Sequence, residues 1–262
     1  MIRMSPGRLK RGFILLIVTM GVFSHMPLSN GWCDVSRPVI AVIVDDLGYS
    51  VEMARDLARI PLPQTWAIIP YLAESRRTSE IALDKDIPFM LHLPMEAVGD
   101  DGKRHSLVWV GMSEESIRQA VRNALWSLPG VSGLNNHRGS KASQDRGVMG
   151  AVLREIAAEG LFFVDSRTSG DSVGFPVAVE MGVPATLNRS FMDHEDNEGF
   201  MWSQFRKAVG IARKTGGAVI ICHARPGTLK FLPRLYEKAH EDVKFVTVPE
   251  YLEQKRTGGW EE

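Results

Sequence analysis

From Pro38 almost to the C-terminus, short apolar runs alternate with amphipathic stretches, and few folds satisfy that alternation. Runs that are apolar at successive positions belong to strands covered on both faces, and a helix after each carries the chain back to begin the next strand in parallel. The runs are Val39 to Val44, Thr65 to Ile69, Phe89 to Leu93, Val131 to Leu134, Leu161 to Val164, Ala185 to Leu187, Ala218 to Cys222 and Lys244 to Val248. Between them, Val51, Ala54, Leu57 and Ala58 recur at helical spacing. So do Ile117, Val121, Ala124 and Leu125, behind the cap Ser113 and the acidic first turn Glu114 and Glu115. Further helices are expected from Gly147 to Glu159, stopped by Gly160, from Trp202 to Lys214 and from Leu229 to Ala239. Seven or eight strand signals with intervening helices predict an α/β fold, a single parallel (β/α) barrel over residues 38–255. A chain of 262 residues lies within the range for one such domain.

The N-terminal region follows a different rule. Arg3, Arg8, Lys10 and Arg11 precede the apolar run Phe13 to Phe23, and the breaker-rich stretch Ser24 to Gly31 follows. That run is about 11 residues, against the roughly 20 needed to span a bilayer. Residues 1–31 are therefore expected to direct export, as a cleaved signal peptide or as a retained membrane anchor. A periplasmic or extracellular location follows, with a mature N-terminus between Ser29 and Ser36 and membrane contact only through an uncleaved segment. Lysine plus arginine total 31, as do aspartate plus glutamate, so no global field draws the chain to nucleic acid. The two cysteines, Cys33 and Cys222, build no disulfide framework and no cysteine metal site.

The residues able to do chemistry stand where the apolar strands end. Asp45 and Asp46 follow the first strand, His92 the third, Asn135, Asn136 and His137 the fourth, Asp165 and Ser166 the fifth, and His223 the seventh. In a parallel barrel all C-terminal strand ends share one mouth, so these side chains converge. Taken singly, each has a structural explanation, a helix cap for the aspartates or a hydrogen-bonded core position for the histidines. Taken together they form the ligand set of a borderline divalent ion such as zinc: Asp46, His92 and either His137 or Glu96, leaving one position open. Asp45 is then placed to take a proton from a water whose pKa the ion lowers, and His223 to protonate a leaving amine. His25, His105, His194 and His240 read as surface or export-segment histidines, and Trp109, in a loop, is the indole offered for stacking on sugar.

Five ordered segments carry a family resemblance: Ile43-Val-Asp-Asp-Leu-Gly48, Leu91-His-Leu-Pro-Met-Glu96, Asn135-Asn-His-Arg-Gly-Ser140, Phe163-Val-Asp-Ser-Arg-Thr168 and Ile221-Cys-His-Ala-Arg-Pro226. Over Pro38 to about Leu252 the chain resembles the divergent polysaccharide deacetylases, a YibQ-like branch of the NodB-homology superfamily. The resemblance implies a distorted (β/α) barrel of about seven strands and metal-dependent removal of acyl groups from a polysaccharide. It makes Asp45 the general base, Asp46 a metal ligand and His223 the general acid. His92 matches the first histidine of the family's His-Ser/Thr-x-x-His segment, and Glu96 stands where the second belongs. The family's Arg-x-Pro segment is not recognisable, and Asn135 to Ser140 occupies that strand end, which leaves Asn136 and Asp165 as further candidates for metal or substrate. The competing expectation is a noncatalytic envelope-associated binding or scaffold protein that keeps the same barrel.

Overall fold

The computed structural model describes Met1 and residues 37–100, 106–258 and 260. Beyond Met1, the expected export segment and Cys33 lie outside these residues, as does most of the polar loop 99–105. No helix among the described residues is long and apolar enough to cross a membrane. The described fold belongs to the unit Arg37–Glu262.

The described residues form eight parallel strands in succession: β1 (Val39–Leu47), β2 (Gln64–Ile68), β3 (Phe89–Met95), β4 (Gly133–Arg138), β5 (Phe162–Asp165), β6 (Ala185–Phe191), β7 (Gly217–His223) and β8 (Lys244–Val246). The first seven close into a ring, because β1 pairs with β7 on one edge and with β2 on the other. The distortion is visible on that second edge. Val39, Ile40 and Ala41 pair with β8, and β2 takes over only from Val42. One strand thus serves two partners in succession, and the ring is closed by seven strands at its mouth.

The helices are α1 (Val51–Leu57), α2 (Ser75–Asp84), α3 (Glu114–Ser127), α4 (Arg146–Ala158), α5 (Gly174–Glu180), α6 (Glu198–Thr215), α7 (Pro226–Ala239) and α8 (Val248–Gly258). Ser50, Ser113, Asp145 and Asn197 each accept a backbone N–H in the first turn of the helix they precede. Three helices escaped the sequence pattern. α2 is rich in serine, threonine and arginine and its cap Glu74 makes no side-chain capping bond, so it carries neither a stripe nor a start signal. α5 is short and holds Pro176 in its first turn. The expected strand Lys244 to Val248 ends at Val246, because Thr247 and Glu250 form a capping box and start α8.

Period-two alternation divides the core into two layers. Ile40, Val42 and Val44 point to the helices, whereas Val39, Ala41 and Ile43 join Met90, Val164, Val219 and Ile221 in a second cluster inside the ring. Val248 and Tyr251 of α8 complete that interior cluster at the end where the strands begin. The opposite end, where the strands finish, is the open mouth.

Candidate active site

The same alternation decides which polar side chains reach the mouth. Continuing the interior series of β1 by two brings Asp45 after Ile43; in β3 it brings His92 after Met90, and in β7 His223 after Ile221. In β4, Asn135 pairs in register with His92, and His137 lies two further on. Asp46 should by this rule face outward. It does not, because the β1–β2 register slips between Val44 and Leu47 and Asp46 adopts φ 64°, so a bulge inside the strand turns both aspartates inward. Gly48, at φ 116°, admits the close approach of Ser75 and Ile69.

Strain collects on this rim. Among the described residues, four of the five non-glycine residues at positive φ, namely Asp46, Tyr71, Arg138 and Arg167, lie at or just beyond the ends of β1, β2, β4 and β5. Such conformations cost on the order of 1–3 kcal/mol each and persist where the surroundings impose them, as at binding sites.

The ligand-type atoms of Asp46, His92 and His137 lie within 4.8 Å of one another. Nε2 of His92 is 3.3 Å from Asp46 Oδ1 and 3.6 Å from Asp45 Oδ2, and Nε2 of His137 is 3.6 Å from the same Asp46 oxygen. His92 Nδ1 donates to Asn135 Oδ1 at 2.7 Å, and Asn135 Nδ2 donates to Asp45 Oδ1 at 2.9 Å. One amide thus fixes the imidazole tautomer, keeps His92 Nε2 directed at the aspartates and locks the Asp45 carboxylate. Asp46 Oδ1 is buried without a hydrogen-bond partner. A carboxylate oxygen without a hydrogen bond, set 3.3 Å and 3.6 Å from two imidazole nitrogens, fits a divalent cation.

Electrostatics point the same way. Burial pushes the Asp46 carboxyl up, yet His92, His223 and His137 outweigh it and hold the group at about 2. Burial, then the His92 charge, drive His137 down to about 4, so its ring is neutral and able to ligate at pH 7. Burial raises Asp45, against the opposing pull of His92, His223 and Asn135. His92 itself rises despite burial because Asp45 and Asp46 flank it; this corner of the mouth attracts positive charge.

Across the mouth stands a pair that the sequence pattern missed. Asp193 is 1 % exposed and accepts four bonds or contacts: His223 Nδ1 on Oδ1 at 2.7 Å, and on Oδ2 His223 N at 2.8 Å and Thr228 Oγ1 at 2.7 Å, while its carbonyl receives Arg225 Nη1 at 3.4 Å. Burial opposes ionisation of Asp193, but the His223 bond wins and lowers its pKa. Burial likewise depresses His223, and the bond and charge of Asp193 reverse it, so the imidazolium is favoured with Nε2 free to act. Asp193 opens the stretch Asp193 to Glu198, whose surface-loop composition hid it; its only sequence signal is its place just after the sixth strand.

Other expected residues are placed elsewhere. Glu96 is buried, but Lys141 Nζ at 2.8 Å holds one oxygen and Val110 N at 2.9 Å the other, so it anchors the segment after β3 and stays out of the ligand cluster. Asp165 is also spent on architecture, accepting from Arg167 N, Ser172 Oγ and Phe175 N to shape the connection to α5. Asn136 does line the mouth, yet its side chain bridges Ser166 N to Arg138 O and so braces the ends of β4 and β5. Trp109 is half-buried outside the mouth, whereas His194 and Phe191 line it. Cys222 is sealed in the core, and burial pushes its thiol well up. The mouth is a cavity of about 690 Å³, ample for a sugar unit.

Comparison with known proteins agrees with this architecture. An uncharacterized Haemophilus influenzae protein is 31% identical over 211 residues, covering 79% of this chain and 74% of that one. The crystal structure of the uncharacterized Agrobacterium tumefaciens protein ATU2773 superposes with a TM-score of 0.77 at 20% identity, covering 82% of this chain and 89% of that one. The catalytic domain of a peptidoglycan N-acetylglucosamine deacetylase from Eubacterium rectale shares the fold at a TM-score of 0.52 and 11% identity, covering 81% and 89%. Residues 42–252 match the family described as divergent polysaccharide deacetylase, and the chain belongs to that family.

Proposed function

We propose that the protein is an exported, divalent-metal-dependent hydrolase that removes acyl groups, by amide or ester hydrolysis, from an envelope or extracellular polysaccharide. The observation that carries this reading is the bare, buried Asp46 Oδ1 facing Nε2 of both His92 and His137, with the spare carboxylate of Asp45 alongside. Asp46, His92 and His137 would hold a cation such as zinc, which would supply Lewis-acid polarisation of the acyl carbonyl and lower the pKa of a water toward ~7.

The chain's own groups then divide the proton work. Asp45, oriented by Asn135, takes the proton of the attacking water as its oxygen bonds to the acyl carbon. His223, oriented by Asp193, gives its Nε2 proton to the leaving nitrogen or oxygen as the bond to the acyl carbon breaks. Strand ends β1, β3, β4 and β7 hold these groups before substrate arrives, so little reorganisation accompanies the reaction. Family membership and the deacetylase activity of the Eubacterium rectale neighbour support a glycan substrate. The charged start and short apolar run of residues 1–31 support export.

The test measures metal content by mass spectrometry on untagged protein, beside acetate release from N-acetylated glycans. About one divalent ion per chain together with turnover is expected. Metal without turnover on acylated glycans of either linkage would favour the noncatalytic scaffold. N-terminal sequencing of the exported form should find a start between Ser29 and Ser36, and a cytoplasmic chain retaining Met1 or Ile2 refutes export.

A further inference from the structure

Beside the mouth, a second groove of about 480 Å³ runs along β6 and α6 and shares Phe191 and His194 with the catalytic cavity. Phe191 forms the common wall, its ring stacked 6.0 Å from that of His223. Among the described residues, three cations line this groove, Arg167, Arg189 and Lys207, and no carboxylate does. Glu195, Asp196 and Glu198 follow His194 in sequence but do not line the groove; Glu198 is paired with Arg234 at 2.7 Å.

Several arginines elsewhere on this electrically neutral chain are paired, Arg118 and Arg122 with Glu155, Arg138 with Asp100 and Arg154 with Glu114. Among the described residues, none of the groove's three cations forms an ion pair, and the Arg167 side chain donates only to Gly170 O. Arg189 is half-buried as well as unpaired. Its position is also built rather than incidental. The β6–β7 register slips between Asn188 and Ser190, Asn188 Oδ1 accepts Ser190 N at 3.0 Å, and Arg189 is the residue the bulge releases from the ladder. The device is the one that turns Asp46 in β1, and bulges re-aim side chains beside active sites. Like charges gathered without counterions repel, so the fold alone gives no reason for this grouping; an anionic ligand does.

We propose that this groove binds an anionic substituent, a carboxylate or a phosphate, on the glycan whose acyl group enters the mouth, so that the protein acts on an acidic rather than a neutral polysaccharide. The proposal rests on the hydrolase reading for what the mouth does, but binding itself needs no turnover. Arg189 supplies a planar fork suited to either anion, and Arg167 and Lys207 add charge at the exposed rim.

Equilibrium titration of the full exported chain, at low ionic strength, separates the possibilities. The probes are an N-acetylglucosamine oligomer, the same oligomer with primary hydroxyls oxidised to carboxylates, and the same oligomer phosphorylated there. At least one anionic oligomer should bind roughly 10- to 100-fold more tightly than the neutral one, the range for a charge-assisted hydrogen bond. Preference for the carboxylate alone assigns an acidic sugar, and preference for the phosphate alone a phosphorylated one. The ratio should fall to near unity in the Arg189→Gln, Lys207→Gln double variant and survive in part in Arg189→Lys, with metal content reporting that each variant is folded. Equal or undetectable affinity for neutral and both anionic oligomers, or a preference that persists in the double variant, overturns the proposal. Failure of every oligomer to release acetate would instead count against the hydrolase reading and leave the binding preference standing.

Discussion

The two walls of the mouth are built on opposite terms. On the wall made by β1, β3 and β4, Asp46 Oδ1 is buried without a hydrogen-bond partner, beside Nε2 of His92 and of His137. On the wall made by β6 and β7, both oxygens of Asp193 are satisfied and His223 is fixed through its Nδ1 and its backbone. A polar group left bare in a buried place is costly, so it marks where something else must bind; a saturated pair marks a group set in advance for its task. In the proposed mechanism the first wall holds the cation and the second delivers the proton. Asp45 stands between them, pairing in register with His223 and 3.6 Å from His92 Nε2.

The largest expected effect comes from removing the bare wall. Asp46→Ala with His92→Ala should take the metal content from about one ion per chain to none, and mass spectrometry that found it unchanged would place the ion elsewhere. Asp45→Asn keeps shape and the bond from Asn135 but removes the base; metal should stay while turnover falls by roughly 10² to 10⁴. Loss of the metal in that variant would move Asp45 into the ligand set.

Asp193→Asn attacks the saturated wall and should spare the metal. Its mark is in pH: without the carboxylate, His223 loses the interaction that raises its pKa, so the alkaline limb of the rate profile should shift to lower pH. An unmoved limb would show that His223 is not the acid. Stability follows with a definite sign. His223 has its folded pKa above 6.5, so its contribution is complete below that value and fades as pH rises through the folded pKa. Asp193 lies below 3.8 when folded, so its contribution is present above that value and is lost as pH falls through the folded pKa. The stability gap between wild type and Asp193→Asn should be widest between those limits and narrow on either side, as read by urea unfolding across pH.

The smallest effect on the site is expected from Glu96→Gln. It weakens the bond to Lys141 and should cost about 1–3 kcal/mol of stability, yet leave metal content intact. Loss of the ion there would restore Glu96 to the ligand set and blur the distinction between the two walls.

The barrel was largely legible in the sequence because its signal is local. An apolar run buried on both faces leaves little choice of element, and the strand ends that carry Asp45, His92, His137 and His223 could be counted off directly. α2 and α5 were not legible: one has no apolar stripe and the other is too short to show a period. Asp193 was hidden for a related reason. Its neighbours are the exposed acids of a surface loop, and nothing in that string distinguishes the one carboxylate that turns inward to meet Thr228 and His223.

By itself, then, the sequence determined the parallel barrel, the side on which chemistry gathers and the residue types that fit a divalent ion, since burial pattern and donor chemistry are properties of residues taken in order. Only the tertiary structure brought His137 rather than Glu96 beside Asp46 and His92, turned Asp46 to the inner face and joined Asp193 to His223. Those outcomes depend on a one-residue slip in strand pairing and on which distant group reaches a given oxygen first. Both are set by the register between strands, which no single strand encodes.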